Sequence, residues 1–405
     1  MFIFKNNMTK LLTFTSLYPN AAQPRHGVFV EERLRHVVAS GNVMAKVIAP
    51  VPWFPFKHAA FGRYAIRASV PKREERYGIQ IEHPRYPVIP KVGMGMAPRL
   101  MYRALLPVFR RLETQGQDYD LIDAHYFYPD GVAAVLLGRY LGKPVVITAR
   151  GTDVTLIPQY RIPRRQILWA AEHAAAIMTV SQSLKDSLVT LGIAPHKIIP
   201  LRNGVDLERF RPMNQPVIRA RLGLTGPVWL SVGHLIERKG LHITISALAQ
   251  VPDITLLIVG DGPEERHLRQ LANILGVSGR IRFLGAISHT DLCEYYNAAN
   301  VVILASSREG MPNVVLEALA CGTRVIATAV DGTPELITSP DAGELMQERT
   351  PEALIAAWYR LRTVITDRIS TRKFAQGFGW LPIVEAQQAL YANVLSKPGQ
   401  FQVRK

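Results

Sequence analysis

The chain predicts an α/β protein of two Rossmann-like domains whose parallel sheets face a central cleft. Three observations carry this. Short apolar runs alternate with helical stretches along the whole length, six runs in each half. A polar, turn-rich segment closed by proline separates the halves. A length of 405 residues exceeds what one hydrophobic core usually supports.

In the first half the runs are LLTFTSL, VMAKVIAPV, DLIDAHY, PVVITAR, AAIMTV and KIIPLRN; in the second they are PVWLSVG, ITLLIVGDG, RIRFLG, NVVILAS, TRVIATA and AGELMQ. Near-continuous apolar strands between helices are the pattern of parallel sheets covered on both faces. The segment RNGVDLERFRP (202–212) marks the junction. The expected layout is therefore a first domain over 1–201, a second over 202–378, and a helix with tail over 379–405 that crosses back toward the first domain. In open α/β sheets, ligands sit outside the carboxyl ends of the strands, so two facing sheets would hold one in the cleft between them.

Composition narrows the class. The two cysteines, Cys293 and Cys321, exclude a disulfide framework and fit a reducing cytoplasm. No apolar run reaches the roughly 18–20 residues of a membrane span. The start, MFIFKNNMTKLLTFTSLYP, has the look of a weak signal peptide but lacks a convincing cleavage site. It is read as a first strand, KLLTFTSL, with initiation at Met8. The formal charge is +16, and residues 1–200 hold +13 of it (26 Lys and Arg against 13 Asp and Glu). Such a half seeks an anionic surface or substrate. No recognition helix, zinc spacing or RNA-binding aromatic motif points to nucleic acid; basic residues that merely solvate the surface are the plain alternative.

The most informative stretch is SSREGMPNVVLEALACG (306–322). Gly310 and Pro312 break the preceding strand, and Pro312 suits a helix start because no amide hydrogen is needed there. The helix runs through NVVLEALA and stops at Gly322. Glu309 then stands on the loop and Glu317 about a turn and a half into the helix. Between them, first-turn amides near 311–313 form a cradle for an anion. Carboxylates repel phosphate, so they must contact another part of the ligand, and hydroxyl groups are the natural donors. A ligand with phosphate in the middle and polyols at both ends is a sugar nucleotide.

With this E-x7-E pair stand VGHLIERKG (232–240), VGDGPEERHLRQLA (259–272), FLGAISHTDLCEYYNAAN (283–300), GTPELI (332–337), RNGVDLERFRP and HGVFVEERLRHVVASG. In that order and spacing the chain resembles, over nearly its whole length, the retaining glycosyltransferases of family 4 with the GT-B fold. LYPN, HGVFVEE and ARGTD are similar to enzymes of bacterial surface polysaccharide synthesis, such as the teichuronic-acid type. The resemblance implies a cytoplasmic enzyme, peripheral at the inner face of the membrane. It would move a sugar from a nucleotide-diphosphate donor to a lipid-linked or oligosaccharide acceptor, with no cofactor and no metal.

Carried over residue by residue, the resemblance places Glu309 on the donor sugar's hydroxyls and Glu317 on the ribose. Met311 and Asn313 are the useful amide donors beside Gly310, and Lys239 binds the diphosphate as a point charge. Gly27 would let backbone approach the β-phosphate, and the strand-end backbone near Ala286 and Ile287 would flank the base. Two positions depart from the pattern. His234 replaces an arginine, with Arg238 able to supply the charge, and Arg150 replaces a histidine at the C6 end of the donor.

Bland readings stand beside these. Glu309 and Glu317 could be exposed helix-start acids, Lys239 and Arg238 surface charge, and Gly27 a plain turn. VGDGPE lacks the third glycine of a dinucleotide fingerprint. DYD (118–120) precedes a strand instead of ending one, so it reads as a solvated turn and not a metal site. His125 is either an acceptor-side site residue or a satisfied core histidine. Asp153 is either acceptor-side or a local partner of Arg150. The loop PVPWFPFKHAAFGRYAIRA (50–68) suits an interfacial membrane contact or a lid packed on the core. An NDP-sugar epimerase or a non-catalytic sugar-nucleotide sensor are the competing functions.

Overall fold

The computed structural model describes residues 8–89 and 93–397. The chain divides into two compact units, one of Met1–Arg202 with Leu381–Lys405 and one of Asn203–Trp380.

The first unit holds β1 (Thr9–Phe14), β2 (Val43–Ile48), β3 (Val51–Pro52), β4 (Arg73–Arg76), β5 (Ile79–Glu82), β6 (Arg85–Tyr86), β7 (Leu121–His125), β8 (Val145–Ala149), β9 (Ala176–Thr179) and β10 (Ile198–Pro200). Eight of them form one sheet in the order β10-β9-β8-β7-β1-β2-β5-β4, while β3 and β6 pair apart from it. Strands β7, β8 and β9 are buried at every residue, which is why they read as unbroken apolar runs. The sheet is parallel, as expected, except at its edge, where β4 runs antiparallel to β5. Its sequence REER alternates exposed and half-buried residues, so it has no apolar run to announce it. The start of the chain, Met1–Asn7, where a leader was weighed, lies outside the described residues.

The second unit holds β11 (Val228–Val232), β12 (Thr255–Val259), β13 (Ile281–Phe283), β14 (Val301–Leu304), β15 (Val325–Thr328) and β16 (Gly343–Met346). They form an all-parallel sheet in the order β13-β12-β11-β14-β15-β16. Its core packs Trp229 edge-to-face on Trp358, with ring centroids 5.6 Å apart.

Both sheets reverse strand order once, at β7/β1 and at β11/β14. A reversal sends the crossovers on either side to opposite faces and leaves a crevice at the carboxyl ends of the two strands between. The loops that follow β11 and β14 carry Lys239 and Glu309; those that follow β1 and β7 carry Gly27 and Tyr126. Topology therefore selects the sites. Among the described residues no helix is long and apolar enough to cross a membrane.

Candidate active site

In the second unit the chain leaves β11, makes a short 3-10 turn at Glu237–Lys239, and enters the helix Leu241–Gln250 through Gly240 at φ 70°. A Cβ on Gly240 would fall 2.0 Å from the carbonyl oxygen of Ala305, so only glycine lets this turn lie against the loop after β14. That contact brings the two loops together. Lys239 Nζ donates to Glu309 Oε1 at 2.5 Å, and Ser306 Oγ donates to the same oxygen at 2.6 Å. The Glu309 amide donates to Asp331 Oδ2 at 2.7 Å. Burial raises the Asp331 pKa, and the neighbouring Glu309 charge adds to it. Glu309 is 8% exposed, which removes the exposed-acid reading.

Arg238 stands next to Lys239, yet its Nη1 donates to the carbonyl of Arg308 at 2.6 Å while its own carbonyl accepts from the Ser307 amide. Its guanidinium thus braces the Glu309 loop. His234 is exposed and its Nδ1 meets the Asp261 carbonyl at 2.6 Å, across the ends of β11 and β12. Ile287 lies half-buried on the loop that follows β13.

The helix Asn313–Ala320 is the expected NVVLEALA run. Pro312 has extended backbone and occupies the N-cap, and no side chain caps the first turn. Met311 is buried, and its sulfur accepts from the Asn203 amide. Asn313 Oδ1 accepts from Asn203 Nδ2 at 2.9 Å. Both contacts fix the approach to the helix at Gly310–Asn313.

Glu317, 7% exposed, is held by two partners that spacing alone does not reveal: Tyr296 OH at 2.7 Å and His289 Nε2 at 2.9 Å. Arg209 Nη1 meets the other ring nitrogen of His289 at 2.8 Å. A guanidinium only donates, so His289 Nδ1 accepts and Nε2 carries the hydrogen given to Glu317. The carboxylate is fixed in orientation and keeps lone pairs for further donors.

The first unit repeats this grammar. Arg150 Nη2 meets His125 Nδ1 at 2.7 Å, and His125 Nε2 meets Asp123 Oδ2 at 2.9 Å. Burial lowers the Arg150 pKa to about 9, which still leaves it a charged donor at neutral pH. His125 is therefore the Nε2–H tautomer, and burial lowers its pKa as well, keeping it neutral. Burial pushes Asp123 up, but His125, Tyr391 and Arg33 together bring it below its ordinary value. Arg33, 1% exposed, spans to Gln387 Oε1 at 2.8 Å and the Leu201 carbonyl at 3.1 Å, tying the last helix into this unit.

Asp153 meets Arg150 locally, as one reading expected, and does so through the backbone: it accepts from the amides of Phe127, Arg150 and Gly151. The Arg150 guanidinium lies 5.2 Å from the Phe29 ring centroid. Phe29 is in the first turn of the helix Val28–Ala39, whose N-cap is Gly27 at φ 75°. A Cβ there would sit 2.3 Å from the Leu17 carbonyl oxygen, so Gly27 is required by its own loop. Ser16 in that loop donates amide and hydroxyl to Asp130, which is fully buried. Burial lifts the Asp130 pKa to about 7, against the lowering effect of the Ser16 hydrogen bonds. Of the DYD triplet, Asp118 pairs with Lys143 and Asp120 accepts from the Lys10 amide. Among the described residues no cluster of three metal-ligating acids, histidines or cysteines occurs.

Two family descriptions match the chain: Glycosyltransferase Family 4 over residues 63–209 and Glycosyl transferases group 1 over residues 215–376. TuaC of Bacillus subtilis, named as a teichuronic acid biosynthesis glycosyltransferase, is 30% identical over 339 residues, covering 81% of this chain and 82% of that one. The fold is similar to sucrose-phosphate synthase from Thermosynechococcus elongatus, with a TM-score of 0.77, 21% identity, and 96% and 100% of the two chains covered. It is also similar to Anabaena HepE in complex with UDP-glucose, with a TM-score of 0.66, 22% identity, and 96% and 100% covered.

Proposed function

The chain belongs to the GT-B glycosyltransferases of family 4, and within that family we propose that it transfers a sugar with retention from a nucleotide-diphosphate sugar to a hydroxyl acceptor. One observation carries the reading. The two loops at the β11/β14 reversal bring a lysine and a glutamate to 2.5 Å, while a second glutamate eight residues on is oriented by His289 and Tyr296. These contacts support a reading in which Lys239 is the cation, Glu309 the sugar-binding carboxylate and Glu317 the ribose-binding carboxylate of one unit.

In the proposed course the acceptor attacks from the face the diphosphate leaves, and the departing phosphate oxygen takes the acceptor's proton. The positive charge comes from Lys239, with the amides of Met311, ahead of the N-cap, and Asn313, in the first turn, and the backbone at Gly27. No metal or other cofactor is part of this scheme. Glu309 holds the donor's hydroxyls, so Lys239 must exchange part of its contact with Glu309 for the diphosphate. Arg238 acts by bracing the Glu309 loop. His234 and Ile287 flank the nucleotide, and His125 and Asp153 act through Arg150 on the first, acceptor-side unit. Arg150 reads a carboxylate, either at C6 of a uronic-acid donor or on an acidic acceptor.

TuaC's name supports a role in teichuronic-acid-type polysaccharide synthesis; the proposed acceptor is lipid-linked or an oligosaccharide, at the inner face of the membrane. HepE's complex supports a nucleotide-sugar donor. Incubation with a panel of NDP-sugars tests the reading. Slow release of nucleoside diphosphate and free sugar is expected; interconversion of sugar isomers would make the protein an epimerase, and binding without turnover a sensor.

A further inference from the structure

We propose that Cys293 and Cys321 form a reversible oxidation site, closed to a disulfide by hydrogen peroxide, and that closing it loosens the hold on nucleoside diphosphate. The effect on the nucleotide rests on the ribose-binding reading of Glu317 given above; the chemistry at sulfur stands without it.

The two cysteines are 28 positions apart in the chain, yet their Sγ atoms meet at 3.6 Å inside the second unit. Cys293 lies in the first turn of the helix Leu292–Ala298, and Cys321 is the C-cap of the helix Asn313–Ala320. Both are buried, but their surroundings treat them differently. Burial raises the Cys321 pKa. The Cys293 sulfur accepts from the Cys321 thiol and from Asn297 Nδ2 at 3.5 Å, and these bonds, with the Arg211 charge nearby, lower its pKa below that of an ordinary thiol. One sulfur is thus prepared as the attacking thiolate and the other as its resolving partner. Access lies on the Cys293 side. The Met213 sulfur is 3.8 Å from Cys293 Sγ, and Met213 is 40% exposed. A water-sized oxidant therefore has only a flexible thioether side chain to displace.

The Cys293 thiolate attacks one oxygen of the peroxide; an S–O bond forms, the O–O bond breaks, and the leaving hydroxide takes a proton to become water. Cys321 gives up its proton and attacks the sulfenic sulfur; the S–S bond forms, the S–O bond breaks, and the departing hydroxide takes that proton as a second water. Two thiols lose two electrons, which the peroxide gains. In a reducing compartment the pair rests as thiols and closes transiently.

Forming the bond draws the sulfurs together by about 1.6 Å, and the shift falls on the two helices that hold Glu317. Tyr296, one turn beyond Cys293, donates to Glu317 Oε2 at 2.7 Å. Glu317, one turn before Cys321, accepts on its carbonyl from the Cys321 amide. Arg368 Nη2 joins the same frame, donating to the Cys321 carbonyl at 2.8 Å and to Asn297 Oδ1 at 3.1 Å. Drawing Cys293 inward therefore pulls Tyr296 from the carboxylate it orients.

The test uses the full-length protein, freed of reductant and treated with a small excess of hydrogen peroxide. The expected product is monomeric, resists thiol alkylation, is lighter by two hydrogens, and returns to its starting mass with dithiothreitol. Cys321→Ser should stop at the sulfenic acid, trapped by dimedone on Cys293, and Cys293→Ser should resist the same dose. Calorimetric titration with nucleoside diphosphate should show affinity about tenfold lower in the oxidised protein, restored by dithiothreitol and untouched by peroxide in Cys293→Ser. Where a serine variant fails to fold, the mass and affinity of the unsubstituted protein still decide. Persistence of both thiols, a disulfide between chains, or a disulfide that leaves affinity intact would overturn the proposal. A reduced protein that forms the disulfide but binds no nucleoside diphosphate would instead overturn the ribose-binding reading of Glu317, and the coupling with it.

Discussion

Arg150, His125 and Asp123 in the first unit and Arg209, His289 and Glu317 in the second are joined in the same order, guanidinium to Nδ1 and Nε2–H to carboxylate. The surroundings differ. Asp123 sits in the middle of the fully buried strand β7, and Arg33 and Tyr391 close the network around it from other elements. Glu317 sits on a helix, and the His289 side chain beside it is 29% exposed. Enclosure turns the first arrangement into a support that aims Arg150. In the proposed reading, access leaves the second carboxylate to a ligand's hydroxyls. On that reading the same chemistry serves structure in one place and binding in the other, and neither triplet contains Lys239 or Glu309, which it places on the diphosphate and the donor sugar.

That last division sets the largest expected effect. Glu309→Gln should lower kcat by roughly a hundredfold or more while nucleoside diphosphate affinity changes little. Glu317→Ala should weaken nucleoside diphosphate binding by about tenfold because its proposed partner is the ribose. Titration calorimetry beside steady-state rates decides, and equal loss of affinity in both variants would contradict the division of labour.

The buried and accessible triplets should also separate in stability. Asp123→Ala leaves His125, Arg150 and Arg33 without their carboxylate and should cost on the order of 3–5 kcal/mol in denaturant unfolding. Glu317→Ala should cost about 1–2 kcal/mol, since Tyr296 and His289 lose one acceptor. Equal losses would break the comparison.

A smaller effect is expected in selectivity. Arg150→His should shift preference from a uronate toward the neutral hexose, as competition between the two donors would show. A uniform loss on both, with the fold intact by circular dichroism, would end the carboxylate reading.

The last effect is read in the pH profile and concerns Asp130, a buried acid in the first unit that, among the described residues, lacks the basic neighbours of Asp123. Its pKa of about 7 in the folded chain lies above the ordinary value near 3.9. The folded state thus keeps a proton that the unfolded state releases, so this contribution to stability is full below about pH 4 and lost as pH rises through about 7. Asp130→Asn should flatten that part of the stability profile; an unchanged slope would place the titration elsewhere.

Much of this was legible in the sequence where a segment's neighbours did not matter. NVVILAS and PVWLSVG announce β14 and β11 because both faces of those strands are covered. Gly310, Pro312 and Gly322 mark the turn and the helix that separate Glu309 from Glu317. REER stayed silent because an edge strand exposes one face. His289 and Tyr296 stayed silent for another reason: they meet Glu317 from 28 and 21 residues away, and no local spacing encodes that contact. Asp123 did leave a trace, a charged residue inside the apolar run DLIDAHY, where burial demands a partner. Arg150 looked like a departure from pattern, but its aim depends on His125, 25 residues earlier.

The central claim is transfer with retention from a nucleotide sugar through the Lys239–Glu309 crevice. Proton NMR of the anomeric signal during turnover of an α-linked NDP-sugar tests it most directly. The account predicts that the first sugar formed is the α anomer, accompanied by nucleoside diphosphate, and that the signal disappears with Glu309→Gln. A β anomer as first product, or undiminished turnover by Glu309→Gln, would contradict it.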